Sequence, residues 1–165
     1  MSITTLDELF VSSLMDIYYA EKQILKALPA MVRRADRRDL KIALETHRQE
    51  TEAQVERIEA AFDLMDLSPR SRQCDAVDGL LSEAKEQMDE IKDEKVLDAG
   101  VIGSAQAVGH YEISRYGTLI AWANALGHAD IAALLQQSLD QEKSADRLLS
   151  EIATAPAGRE AAKQG

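Results

Sequence analysis

Three features of the sequence predict an all-α protein. Ala, Leu, Glu, Gln, Lys and Arg, which favour helices, dominate the 165 residues, whereas aromatic residues make up only 4%. Apolar residues recur at alternating spacings of three and four in five segments, which is the periodicity of one helix face. The sequence contains neither a sustained polar–apolar alternation nor an Asn-Gly hairpin turn, the usual signals of β-structure. We therefore expect four long helices and one short helix, packed as a four-helix bundle.

Length, charge and cysteine content narrow the class of protein. A chain of 165 residues is long enough for one domain with a substantial core. A net charge of −10 argues against a broad surface for nucleic acid or an anionic membrane. The single cysteine, Cys74, allows neither an intramolecular disulfide nor a cysteine-based zinc site, and we expect it to be a packing residue. Because the N-terminus lacks a signal-peptide pattern and no apolar run approaches roughly 18 residues, we expect a cytoplasmic protein.

The first helix is predicted to begin at Thr5, because Thr5-Leu6-Asp7-Glu8 has the form of a capping box. Pro29 should kink or interrupt this helix near its end, since proline lacks a backbone N–H and crowds the preceding turn. The spacing of three and four predicts an inward stripe of Phe10, Leu14, Ile17, Glu21, Ile24 and Leu28.

The second helix is predicted to have Asp36 as its N-cap and to end at Leu67-Ser68-Pro69. Its inward stripe is Leu40, Leu44, His47, Thr51, Gln54, Ile58, Ala61 and Met65. A polar loop over residues 68–75 should lead into a short amphipathic helix over residues 76–92.

The third long helix is predicted over residues 97–126, with Gly127 as its C-terminal stop. Its inward stripe is Ile102, Ala105, Gly109, Glu112, Tyr116, Leu119 and Ala123. The last helix should cover residues 129–153, with an inward stripe of Ile131, Leu135, Ser138, Glu142, Ala145, Leu149 and Ile152. Residues 1–153 would then form a bundle whose long middle crossover carries the short helix, and residues 154–165 a disordered tail.

Charged residues on the core stripes are the informative departures from this pattern. Glu21, Glu112 and Glu142 each occupy the core register of a different long helix. On the second helix, His47 and Glu50 share one face at a spacing of three. Burying one ionised carboxylate costs several kcal/mol even after relaxation, so four of them converging on one core need compensation.

Bound cations are the most economical compensation, because the central stripes contain no Lys or Arg. Four glutamates carry a charge of −4, which two divalent ions would neutralise. Carboxylate and imidazole ligands suit iron or manganese, with zinc as a substitute. Asp146 follows Glu142 by one helical turn and joins Glu21, His47, Glu50, Glu112 and Glu142 as a predicted metal ligand.

Some of these residues also have ordinary structural roles open to them. His47 alone would suit a hydrogen-bonded core histidine, and Asp146 could be an acceptor behind the ligands or the partner of an arginine such as Arg57. Tyr18 or Tyr116 could donate a hydrogen bond to a core carboxylate.

At these positions the chain resembles the YciF-like family of stress-associated ferritin-like proteins, from Leu6 to about Ala153. The resemblance is carried by blocks in the same order, namely Asp16–Gln23, His47–Thr51, Gly79-Leu80-Leu81, His110–Ile113, Tyr116–Leu119 and Leu139–Lys143. It implies a ferritin-like bundle similar to rubrerythrin in its core, a dinuclear metal site and a homodimer. The biochemical activity of this family is poorly defined.

Two departures from the ferritin-like pattern stand out. That pattern places Glu-x-x-His on two helices, whereas here the order is His47-x-x-Glu50 and the last helix offers Glu142 and Asp146 without a histidine. Relatives of this kind also tend to carry Glu where this chain has Gly109, so one ligand is absent and a coordination position could be left open.

These features support three hypotheses of function. The first is a dinuclear iron or manganese protein that reacts with a small oxidant, oxygen or peroxide, under stress. The second is metal binding without turnover. The third is a metal-free helical interaction module.

Overall fold

The computed structural model describes residues 2–156 and confirms the all-α architecture. This part of the chain contains five helices and no strand: α1 (Leu6–Arg34), α2 (Arg38–Leu64), α3 (Asp75–Glu90), α4 (Glu94–Ala125) and α5 (Ala129–Thr154). Helix α5 extends one residue beyond its predicted end. The rest of the predicted tail, residues 157–165, lies outside the described residues.

The four long helices form a ring around one core. Helix α1 packs on α2 and α4, and α5 packs on the same two helices. Short connections join α1 to α2 and α4 to α5, so each pair is a helical hairpin. The crossover between α2 and α4 carries α3, which packs on the outside against α4 and α1. The predicted bundle with one long crossover and an extra short helix is therefore confirmed.

Helix α1 begins as predicted but continues through its proline. The Glu8 amide donates to Thr5 Oγ1 at 3.2 Å and Glu8 Oε2 accepts from the Thr5 amide at 3.1 Å, which completes the capping box. Of the predicted kink or interruption at Pro29, the interruption does not occur, because the helix runs on to Arg34. The turn beyond the proline is held by burial of Met31 and by a hydrogen bond to the Val32 carbonyl from Lys41.

The start of α2 differs from the prediction by one residue. Its N-cap is Arg37 instead of Asp36, and Arg37 makes no side-chain capping bond. The buried Asp98 carboxylate of α4 accepts instead from the amides of Asp36 at 2.7 Å and Arg37 at 2.9 Å. A carboxylate at a helix N-terminus also matches the positive end of the helix dipole. A side chain from a distant helix thus holds the two residues that precede α2.

The later helices fall close to their predicted bounds. Helix α4 starts three residues earlier than predicted because the Asp93 side chain accepts from the amides of Lys95 and Val96. Gly127 follows its C-terminal end with φ +80°, a left-handed conformation that favours glycine. The predicted stop at this glycine is confirmed.

The predicted stripes form the core. Phe10, Leu14, Leu40, Ile58, Leu119 and Leu135 are among the fully buried apolar side chains. The polar stripe residues Glu21, Glu112 and Glu142 are buried with them, at mid-bundle. Among the described helices, none has an apolar stretch long enough to cross a membrane.

Candidate metal centre

Each long helix contributes an acidic or imidazole side chain to one point in the core. Glu21 of α1, Glu112 of α4 and Glu142 of α5 are at most 1% exposed. His47 of α2 faces them, and its side chain is 12% exposed. The 3.6-residue helical period places each of these residues on the inward stripe, so the sequence pattern that builds the core also builds this cluster.

Three of the predicted ligands lie within reach of a single metal ion. His47, Glu112 and Glu142 each present one donor atom, and these atoms lie within 4.8 Å of one another. His47 Nε2 is 3.8 Å from Glu142 Oε1. One imidazole and two carboxylates form a donor set that suits iron, manganese or zinc.

Buried donor atoms in this cluster have no hydrogen-bond partner within residues 2–156. They are both oxygens of Glu112, Glu142 Oε1, Glu21 Oε2 and His47 Nδ1. Buried polar atoms are normally paired, and an unpaired one costs about 1–3 kcal/mol. In the described part of the chain no lysine or arginine forms an ion pair with these three glutamates. The cluster therefore fits a metal ion, which would give the unpaired oxygens of Glu112 and Glu142 a partner.

The carboxyls of this cluster are poorly suited to carry their charge alone. Burial raises the pKa of Glu21 to about 8, with the charge of Glu142 adding to the effect. Burial, followed by the charges of Glu142 and Glu21, raises the pKa of Glu112 well above its usual range. Without a cation, burial therefore favours the protonated form of both carboxyls.

The pKa of His47 is subject to two opposing effects. Its burial lowers the pKa of the imidazole, but the carboxylates of Glu142, Glu50 and Glu21 raise it, and the net effect is a raised pKa. Glu50 Oε2 lies 3.7 Å from His47 Nδ1, and the Glu50 side chain is 26% exposed. A carboxylate in this position can orient the ring so that Nε2 faces Glu142.

Both tyrosines considered as donors form hydrogen bonds to carboxylates. Tyr116 Oη donates to Glu21 Oε1 at 2.7 Å, and both side chains are fully buried. Tyr18 Oη donates to Glu59 Oε1 at 2.7 Å, in a half-buried position. Of the two, Tyr116 therefore belongs to the centre and fixes one oxygen of Glu21.

Asp146 is placed next to the cluster but outside the group of three. Its Oδ1 lies 2.9 Å from Nε2 of His110, whose side chain is 66% exposed. Gln106 Nε2 donates to the Asp146 carbonyl at 3.3 Å and to Ser150 Oγ at 2.8 Å. These contacts join α4 to α5 at the surface. The sequence pattern could not predict these contacts, because the residues they join are about 40 positions apart.

A small cavity adjoins the cluster where the sequence has Gly109. A Cβ atom on this glycine would lie 3.6 Å from Glu142 Oε2, an ordinary van der Waals distance. The cavity has a volume of about 20 Å³, which is room for a water-sized group. Its walls include Ala43, His47, Ala105, Gly109, Glu142 and Ala145.

Comparison with known proteins identifies the family. Residues 5–162 match the profile of the family described as Domain of unknown function (DUF892). The chain belongs to this family. It is also 37% identical over 154 residues to the protein YciF of Escherichia coli strain K12, with 93% of each chain covered. The resemblance inferred from the sequence blocks is thereby confirmed.

Solved structures of similar proteins agree with the fold of this DUF892 member. The crystal structure of the E. coli stress protein YciF aligns with a TM-score of 0.88 and 37% identity, covering 92% of this chain and 96% of that one. YcfI of Rhodopseudomonas palustris, described as a candidate structural protein, aligns with a TM-score of 0.89 and 49% identity, covering 90% and 95%. A Xanthomonas campestris protein aligns with a TM-score of 0.71 and 26% identity, covering 94% and 99%.

Proposed function

We propose that this DUF892 protein binds two iron or manganese ions and reacts with oxygen or hydrogen peroxide during stress. The observation that carries the proposal is the buried group of His47, Glu112 and Glu142, whose donor atoms converge and lack partners within the described residues. Such an arrangement would stabilise a bound cation. Without a cation, its buried unpaired atoms destabilise the core.

Two ions are proposed because the neighbouring carboxylates exceed what one ion needs. Glu21 lies close enough to raise the pKa of Glu112, and Glu50 lies against His47. With Glu112 and Glu142, they supply four negative charges, which two divalent ions balance. Asp146 stands at the edge of this set, where we propose that it acts as an outer acceptor. Zinc would fit the same donors without redox chemistry.

The bound ions would supply electrons, and the protein would supply position and shielding. Reduction of hydrogen peroxide to two waters requires two electrons and two protons, and two such divalent ions, if bound, would supply the electrons by giving up one each. Tyr116 holds Glu21 in place through its hydrogen bond. Because Glu21 and Glu112 are fully buried, bulk water does not reach the side of the centre that they form. Ligands held in fixed geometry before the reaction reduce the reorganisation that the reaction requires.

The proposed biological setting draws on the relatives. The E. coli relative is called a stress protein, and the ferritin-like resemblance implies a dinuclear metal site. The same resemblance supports a homodimer, and we propose a cytoplasmic location in line with the expectation from the sequence. We extend these properties to the present chain as part of the proposal.

The deciding experiment measures metal ions per chain. The full-length protein is loaded anaerobically with Fe(II) or Mn(II), desalted and analysed by mass spectrometry. We expect two ions per chain, and about one per chain would reduce the proposal to a mononuclear site. Glu142→Gln should lose this metal, whereas Glu151→Gln, an exposed change on the same helix, should retain it.

Turnover is then tested on the loaded protein by mixing it with hydrogen peroxide and following metal oxidation optically. A rate well above that of the free metal supports the oxidant chemistry. Saturable metal binding without reaction would favour sequestration. No metal, together with a Glu21→Gln/Glu142→Gln variant that is more stable than the wild type, would favour a metal-free helical module. That outcome would accord with the structural role suggested for the R. palustris relative.

A further inference from the structure

The cavity beside Gly109 is formed by small side chains on three helices. Ala43 of α2, Ala105 and Gly109 of α4, and Ala145 of α5 all line it. Each of these positions has little or no side chain, so three closely packed helices leave a gap between them. Most of the wall is apolar, which favours neutral molecules over ions.

The inner end of this cavity reaches the metal ligands. His47 and Glu142, two of the three clustered residues, form part of its wall. Because Gly109 has no side chain, the Glu142 carboxylate is left uncovered on this side. A molecule in the cavity would therefore touch the ligand cluster. An open position beside a metal is what a substrate requires.

The outer end is held by hydrogen bonds. Gln106, Asp146 and Leu148 line it. The Asp146 carboxylate pairs with His110, and Gln106 donates to Ser150. Both contacts tie α4 to α5 at this end of the cavity.

The volume limits what the cavity can hold. A water molecule needs about 10–15 Å³ of this kind of space, and about 20 Å³ is present. Dioxygen and hydrogen peroxide each have two bonded oxygen atoms, so they require only slightly more volume than one water molecule. A tert-butyl group adds four carbon atoms, which need more space than about 20 Å³.

We propose that this cavity is the oxidant-binding position of the centre and that Gly109 and Ala105 set its size limit. The cavity admits neutral oxidants of two oxygen atoms and excludes alkyl hydroperoxides. This inference rests on the proposed function, since it concerns the substrate class of the same metal centre. It makes Gly109 a specificity-determining residue without assigning it any metal-binding role.

The test compares two glycines of the same helix. Gly109→Ala places a methyl group in the cavity, whereas Gly103→Ala adds the same group at an exposed position with nothing within 4 Å. Both changes raise helix propensity equally, so the pair isolates the cavity. Metal content is measured first for all proteins. Nitric oxide, a neutral two-atom probe, is then titrated into the anaerobic Fe(II) protein, and the nitrosyl absorption is recorded.

We expect wild type and Gly103→Ala to bind nitric oxide alike and Gly109→Ala to bind it at least about tenfold more weakly, at unchanged metal content. Ala105→Val, which fills the wall away from Glu142, should give the same loss and serves if Gly109→Ala fails to fold or to retain metal. Wild-type protein should be oxidised by hydrogen peroxide at least about a hundredfold faster than by tert-butyl hydroperoxide.

Three results would overturn the inference. Wild-type affinity for nitric oxide in the metal-loaded cavity variants would show that the cavity is not the binding position. Equal rates with the two peroxides would remove the size limit. In both cases the metal centre itself would stand. If wild-type protein bound no metal, the proposed function would fail and the inference with it.

Discussion

The two sides of the metal centre differ in their exposure to water. On the closed side, Glu21, Glu112 and Tyr116 are fully buried. On the open side, His47, Glu50 and Asp146 are partly exposed, and the Gly109 cavity adjoins them. Glu142 lies between the two sides and interacts electrostatically with both.

This difference separates two tasks within one cluster. Carboxyls on the closed side cannot share their charge with water, so they gain most from a cation and should dominate metal affinity. Side chains on the open side keep contact with solvent, so they can accommodate exchange of small molecules. Similar residue types thus serve unlike roles because burial differs, and three comparisons test this division.

The largest expected effect is the pH dependence of stability without metal. The pKa of Glu21 is about 8 in the folded protein and 4.5 in an ordinary environment, and that of Glu112 is raised in the same direction. An acid whose pKa is raised by folding stabilises the fold fully below pH 4.5, and this stabilisation is lost as the pH rises towards 8. The thermal midpoint of metal-free protein should therefore fall over this range, by an amount that corresponds to a few kcal/mol.

The control for this prediction is Glu21→Gln, which should reduce the pH dependence to the part due to Glu112, while Glu50→Gln on the open side should leave it unchanged. Metal-loaded protein should behave oppositely, because ligands bind metal in their deprotonated forms and affinity rises with pH. A metal-free midpoint that rises between pH 4.5 and 8 would contradict the assignment of the closed side.

The next effect concerns metal affinity. Glu112→Gln removes a fully buried ligand candidate, and we expect the affinity for Mn(II) to fall by more than about a hundredfold. Glu50→Gln changes a partly exposed residue that orients His47, for which a loss of about tenfold is expected. Titration calorimetry at fixed pH measures both. Equal losses would mean that burial does not divide the two sides.

The smallest effect concerns the tyrosine that supports the closed side. Tyr116→Phe leaves Glu21 Oε1 without its donor in a dry environment, which should cost about 1–3 kcal/mol. Tyr18→Phe removes a hydrogen bond of the same 2.7 Å length to half-buried Glu59, where water can substitute, and should cost less. Urea unfolding of the two variants compares them directly. A larger loss of unfolding free energy for Tyr18→Phe than for Tyr116→Phe would contradict this prediction.

The sequence predicted the fold well because helix stripes are a local signal. The polar interruptions at Glu21, Glu112 and Glu142 were visible for the same reason, since each breaks an otherwise apolar stripe. The pattern could also indicate that His47 and Glu50 share a face. It could not give distances between helices, so it did not distinguish the group of three from Asp146 at its edge.

The departures from the prediction arise from contacts between distant helices. The continuation of α1 past Pro29 depends on packing, which outweighs the lost hydrogen bond. The residues that precede α2 are held by Asp98, which lies more than sixty positions away from the amides that donate to it. The cavity depends on where three helices leave a gap, and a glycine in the sequence does not reveal what faces it.

The contact between Asp98 and the start of α2 also has a consequence for alignment of the centre. A helix turns by about 100° per residue, so a slip of one position would rotate His47 away from Glu142. Asp98 accepts from the amide of Arg37, the N-cap of α2, which lies about 15 Å before His47 along the helix axis. Asp98 belongs to the helix that carries Glu112. The angular setting of the imidazole is therefore fixed at one end of the bundle, by a carboxylate that touches no ligand.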